Sequence, residues 1–203
     1  VPHTLRDNLQ AFHAWRRKPT AIAELVVGED ALVRGVVETA GFVAPALITG
    51  RECVAGNVQL WMEDNVQKRV RWAHTRASLA FFVLDERGDR LLVEDAELIL
   101  SHVPEEDVTQ AAGEQTHAGT PFWEFVQEQR LAIATTFYTA TEQLIVPGAH
   151  VEVYGRVGQR PWMDRGAYRE QLVHVTSIGA HGDAHVLVRP APSASGAADV
   201  GHT

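Results

Sequence analysis

The chain has 203 residues and a formal charge of −8, enough length to bury a full core as one large domain. It is too acidic to suggest a surface built to cover nucleic-acid phosphates, although a local basic stripe stays open. A single cysteine, Cys53, excludes an internal disulfide and every zinc module built from several thiolates. Thr4 precedes Leu5, with Asp7 three residues after it in the manner of a capping box, and Leu5, Leu9 and Phe12 recur at helical spacing. A helix is therefore predicted to about Arg17, where Arg16, Arg17 and Lys18 suit the negative end of its dipole and Pro19 stops it. Such a basic end also suits anionic lipid, but packing on its own domain is the favoured reading.

From Ala31 the texture becomes short β-rich runs separated by Gly and Pro. Residues 31–37 read as a strand in which Gly35 marks a bulge or a close backbone approach. Pro45 demotes residues 42–49 to an edge or irregular segment, while 53–62 and 68–75 read as two strands of an antiparallel meander. Phe81 to Val93 holds two apolar runs around a polar turn, and Gly88 can supply the positive φ that a tight hairpin needs. Asp85 is placed to accept backbone N–H bonds in that turn.

Residues 96–103 continue the strand texture, and 104–120, with Glu105, Glu106 and Asp107, read as a solvated insertion. Thr120 and Pro121 suit the cap and first position of a second helix, ending near Arg130. Residues 133–145 read as strand, turned by Pro147 and Gly148 into 151–157. A loop is predicted over 158–166, then strands over 168–178 and 185–188. The composition beyond Arg189 predicts a disordered tail.

Three segments together resemble the GIDE domain, a β-rich module of membrane-anchored ubiquitin ligases and of bacterial and plant relatives. The first is Val33 to Val37 with Gly35, followed by Phe42 to Pro45 and Gly50 to Val54 with Cys53. The second is Phe82 to Asp85 with Gly88 and Leu92-Val93. The third is Glu142 to Gly148 leading into Val151 to Gly155. The resemblance covers roughly residues 20–190. It implies a partner-binding domain of a membrane-tethered protein, with Cys53 structural and the 4–17 helix juxtamembrane. The RING that transfers ubiquitin in the ligases needs several cysteines, so ligase activity does not carry over.

No hydrolase elbow, phosphate-cradling loop or metalloprotease helix occurs, and no cofactor is expected. His181, Asp183 and His185 stand on alternate residues, as a metal site in a strand would need; Gly-Asp is also an ordinary turn. Arg69, Arg71, Trp72 and Arg76 interleave cations with an aromatic, a candidate surface for phosphates and bases and equally the alternation of a half-buried strand.

These observations predict a mainly β (α+β) fold, a bent antiparallel sheet or barrel-like domain with Phe82, Leu84, Leu92, Val151 and Val153 buried. Residues 1–18 would form the N-terminal helix, 19–189 the β-rich domain and 190–203 the tail. Arginine outnumbers lysine sixteen to two, a bias expected of a GC-rich, bacterial genome. No run of about 20 apolar residues is present to span a bilayer, and the chain starts at Val1, so it is expected to be soluble as given and part of a longer, membrane-anchored protein. The functional expectation is a non-enzymatic recognition or scaffolding domain for a protein or small ligand, with nucleic acid disfavoured. The alternative is an OB-like barrel that binds nucleotide or single-stranded nucleic acid.

Overall fold

The computed structural model of the chain describes residues 12–64, 69–94, 98–100, 105–111, 124, 137–164, 171–179 and 186–192. It is mainly β. In chain order the strands are β1 (Asp30–Thr39), β2 (Ala44–Pro45), β3 (Glu52–Cys53), β4 (Ala55–Asp64), β5 (Arg69–Ser78), β6 (Phe81–Leu84), β7 (Arg90–Val93), β8 (Leu98–Leu100), β9 (Glu105–Ala111), β10 (Phe137–Ile145), β11 (His150–Asp164), β12 (Gln171–Gly179) and β13 (Val186–Pro190). Among the described residues, helix is confined to 12–14, Glu124 and a single 3₁₀ turn at Ile22–Glu24. Residues 4–11, the rest of the helix predicted near 120–130, and 193–203 of the tail lie outside the described residues.

The strands divide between two compact units, each drawn from segments distant in sequence. One holds β2–β5, β9 and β10; the other holds β1, β6–β8 and β11–β13.

The second unit is a seven-stranded sheet in the order β1-β6-β7-β12-β11-β13-β8, and β1 also pairs with β11. Five strands thus form a ring of pairings. β1 makes this possible by serving two partners: its residues 30–36 pair with β11 and 36–39 with β6. Gly35 sits beside the changeover, where a Cβ would stand 2.1 Å from the Leu84 carbonyl oxygen. The glycine is therefore required by close approach of backbone, one of the two readings its place in a strand allowed. The ring's last leg, β7 on β12, is parallel and only two residues long, Leu92 with Ser177 and Val93 with Ile178. The sheet bends back on itself without becoming a clear barrel.

Burial follows the ring. Phe82, Leu92, Val151 and Val153 are buried as predicted, while Leu84 is only half-buried. Leu84 ends its strand where the chain turns towards solvent. Their alternate neighbours Phe81, Val83, Leu91 and Val93 are also buried completely, so the hairpin is covered on both faces. Each such side chain contributes roughly 1.5–3 kcal/mol. On β11 Glu152 and Tyr154 alternate with the valines, and the middle row Leu32, Tyr154 and Leu187 is packed by Ala14 and Trp15. The end of the N-terminal segment thus lies on its own unit.

The other unit is built on a four-stranded antiparallel sheet, β5-β4-β10-β9. The β4–β5 meander is as predicted. Two expectations are corrected. Glu105, Glu106 and Asp107 belong to strand β9, paired with β10, because a strand at a sheet edge tolerates and even uses charge. Residues 158–164 are not a loop: β11 continues through Gly158, which pairs with Ser177.

Candidate recognition face

The hairpin β6–β7 positions the first side chains. Gly88 has φ +83° and donates its N–H to the Asp85 carbonyl at 3.0 Å. The Asp85 carboxylate accepts the N–H groups of Arg87 at 2.9 Å and Asp89 at 3.1 Å within the turn, and of Ile22 at 3.1 Å from the 3₁₀ turn. Burial pulls its pKa up, but these three donors and the Arg87 charge prevail and hold it below the usual aspartate value. The turn residue is thus also a clamp on residues 22–24.

This fixed hairpin holds the buried Phe82 against Trp162. The Trp162 ring meets it edge-on, with centroids 5.3 Å apart, and the Arg90 guanidinium lies 5.7 Å above the Phe82 ring. Both geometries are favourable for a ring's quadrupole. Arg90 is held by Glu38 at 3.0 Å. Arg160, two residues before Trp162, is held by both oxygens of Glu94 at 2.9 and 3.1 Å, which raises its pKa further above the ordinary range. The result is a partly exposed Trp162 seated on the buried Phe82 and flanked by two cations, each already neutralised.

Trp162 stands on an arm. Among the described residues, β11 and β12 run on beyond the ring as a two-stranded ribbon to Asp164 and Gln171. Near its tip the register partners Met163 and Leu172 are 44% and 61% exposed, an apolar pair at the surface. None of these groups is an activated nucleophile or a paired acid and base.

A second charged row lies across the same unit. Arg34, Glu152 and Arg189 are register partners on three strands, and the buried Glu152 carboxylate accepts from Arg34 at 2.6 and 3.0 Å and from Arg189 at 2.7 Å. Arg189 in turn lies 4.3 Å from the Trp15 ring, and Arg17 lies 5.5 Å from that of Tyr154. Burial and the Asp30 charge raise the Tyr154 pKa. This row fastens the 12–17 segment.

The residues singled out in sequence fall in several places. Arg69 and Arg71 pair with Asp64 and Met62, whereas Trp72 and Arg76 pair with Trp61 and Asn57. His181, Asp183 and His185 lie outside the described residues. Among the described residues no group of three His, Cys, Asp or Glu could hold a metal ion.

The family-like positions have structural surroundings. Glu142 is fully buried, and its carboxylate accepts from the Ile48 N–H at 2.9 Å, the Thr49 N–H at 3.1 Å and the Thr49 hydroxyl at 2.7 Å. Burial, then the Glu142 charge, raises the Cys53 pKa and disfavours its thiolate. Pro45 pairs with Glu52 in a two-residue ladder. Gly148, at φ +82°, donates to the Val37 carbonyl at 2.8 Å. A Cβ on Gly155 would come within 2.7 Å of Ile178.

Sequence reasoning missed Trp162, Arg160, Arg90, Glu38 and Glu94. The signal was available for the first two: Arg160, Trp162 and Asp164 alternate with Gln159, Pro161 and Met163 as in a strand, but the glycines at 158 and 166 suggested a loop. No family model matches the chain, and no curated protein or solved structure matches it.

Proposed function

We propose that the chain is a non-enzymatic recognition domain that binds a protein segment through the surface formed by Trp162, Arg90 and Arg160 and the β11–β12 arm. The GIDE resemblance extends this to the extramembrane part of a membrane-tethered bacterial protein. One observation carries the choice of partner: both guanidiniums beside the aromatic pair are already held by carboxylates, Arg90 by Glu38 and Arg160 by Glu94. A phosphate entering there would meet the carboxylates as well as the cations, whereas an apolar or amide-bearing segment meets Trp162 in a neutralised setting.

A second reading, nucleotide or single-stranded nucleic acid, is favoured by the ring order β1-β6-β7-β12-β11 with its parallel β7–β12 leg. This is the strand connectivity of the OB-fold, whose second and third strands and arm loops bind oligomers. It is a likeness of fold and carries no chemistry of its own.

Random dodecamer peptides displayed on phage, selected against the chain and then measured by fluorescence anisotropy, test the two readings beside a labelled oligo-dT strand. Enriched peptides should bind the parent and lose about tenfold in affinity with Trp162→Ala. Failure to enrich any peptide sinks the proposal. Oligo-dT binding that falls steeply with salt and needs Trp162 replaces it with the second reading.

A further inference from the structure

The arm that carries Trp162 has two edges, and the register shows which backbone groups each presents. The β11–β12 register runs without a bulge from Arg156 opposite Gly179 to Asp164 opposite Gln171. In such an antiparallel ladder, N–H and C=O groups alternate strictly between facing the partner strand and facing away. The root of the arm fixes the parity. Val157 accepts from the Gly28 N–H at 2.9 Å and donates to the Glu29 carbonyl at 2.8 Å, while its partner Ile178 accepts from the Glu94 N–H at 3.0 Å on the opposite side. These two residues turn their backbone groups away from each other. Counting by twos, so do Gln159, Pro161 and Met163 on β11 and Thr176, His174 and Leu172 on β12.

The two outward edges differ. That of β11 is interrupted by Pro161, at a position whose N–H the ladder does not use; proline there blunts the edge without weakening the ribbon. That of β12 passes through Leu172, Val173, His174, Val175 and Thr176, with no proline, lysine or arginine. Among the described residues β12 meets β7 only at Ser177 and Ile178. The outward N–H and C=O groups of 172 and 174 and the N–H of 176 therefore extend the ladder that β7 begins. Val173 and Val175 pair with Trp162 and Arg160, and the exposed Leu172 pairs with Met163, so apolar contacts are available on both faces of this edge.

We propose that the β12 edge takes an extended peptide segment of a partner protein by strand addition, with apolar side chains on its alternate residues. This rests on the recognition reading and names its mode. Main-chain bonds supply affinity in such complexes and side-chain contacts supply selectivity. The free edge is short, Leu172 to Thr176, largely apolar, and next to an arginine already paired with Glu94. This fits a short uncharged extended segment, which can bind weakly through main-chain bonds, whereas a stable pair of copies needs roughly 1,000 Å².

The test uses an enriched dodecamer, the full chain and two variants. His174→Pro removes an outward N–H that no ladder bond needs, and His174→Ala removes the imidazole alone. The dodecamer should bind the parent and His174→Ala alike and lose at least about tenfold with His174→Pro. N-methylation of one alternate set of its residues should abolish binding, and of the other set should leave it intact. Amide exchange at 172, 174 and 176 should be fast in the free chain and slowed by the peptide. Binding that needs Trp162 yet is indifferent to His174→Pro overturns strand addition and leaves the recognition reading standing. Slow exchange at those three amides in the free chain, or self-association lost in His174→Pro, overturns the proposal in favour of an edge already covered or taken by a second copy.

Discussion

Glu142→Gln isolates the buried carboxylate that fastens residues 48 and 49. The side chain keeps its length, but an amide nitrogen replaces one oxygen and faces an N–H or hydroxyl where an acceptor stood. Both oxygens are occupied, Oε1 by Ile48 and Oε2 by the Thr49 amide and hydroxyl, so no flip of the amide avoids the conflict. Losing one bond to a charged acceptor costs about 1.5–3 kcal/mol and stranding its donor about 1–3 kcal/mol, partly overlapping, which gives a destabilisation of about 2–4 kcal/mol. Thr49→Ala removes only the hydroxyl bond and should cost about 1–2 kcal/mol. The two variants share a partner, so the double variant should cost less than the sum. Urea unfolding followed by tryptophan fluorescence measures all three. A loss below about 0.5 kcal/mol for Glu142→Gln, the range of an ordinary surface change, would refute the reading of Glu142 as the anchor of this loop.

What the sequence discloses depends on how local the cause is. Gly88 and Asp85 act within a few residues, and both hold the turn as their chemistry requires. That Asp85 also binds Ile22 was hidden, since 63 residues separate them. Alternation identified the strands but not which were covered twice: Phe81 and Phe82 are both buried, and two adjacent apolar residues look the same in either case. Polar composition misplaced β9, because an edge strand and a solvated loop favour the same residues. The two units each join segments far apart in the chain, and no boundary composition marks them. The recognition patch escaped for a related reason: Phe82 and Trp162 are brought together only by the return of β11 and β12 onto β7.

Gly35→Ala should destabilise by about 3 kcal/mol, the upper range for overpacking, because Leu84 backbone atoms at 2.1 and 2.7 Å cannot yield as a side chain can. Gly88→Val has open space around it and should cost about 1–3 kcal/mol through its positive φ alone; equal melting temperatures for parent and either variant would remove the corresponding argument. Cys53 should resist an aromatic disulfide reagent in the native chain and react fully in urea, and rapid labelling without denaturant would contradict its raised pKa. Glu152→Gln should cost about 2 kcal/mol, less than Glu142→Gln, because Arg34 is half exposed and regains water; a larger loss than for Glu142→Gln would reverse that order. The last test is the pH dependence of Asp85. Its pKa in the folded chain lies below the ordinary value of 3.8, so the folded state prefers the charged carboxylate and the unfolded state binds the proton more readily. Its contribution to stability is therefore complete above the unfolded pKa and disappears as pH falls through the folded one. Asp85→Asn keeps a side-chain carbonyl for the turn but has no proton to gain, so its deficit against the parent should be constant near neutrality and shrink as the pH is lowered below about 4. Proteolysis between residues 19 and 30 should accelerate in the variant, since the Ile22 N–H bond, beside the exposed Arg87–Glu24 pair, joins that segment to the hairpin. A deficit that stays constant into acid would mean that the carboxylate's charge contributes nothing, and that the three donors serve only the geometry of the turn.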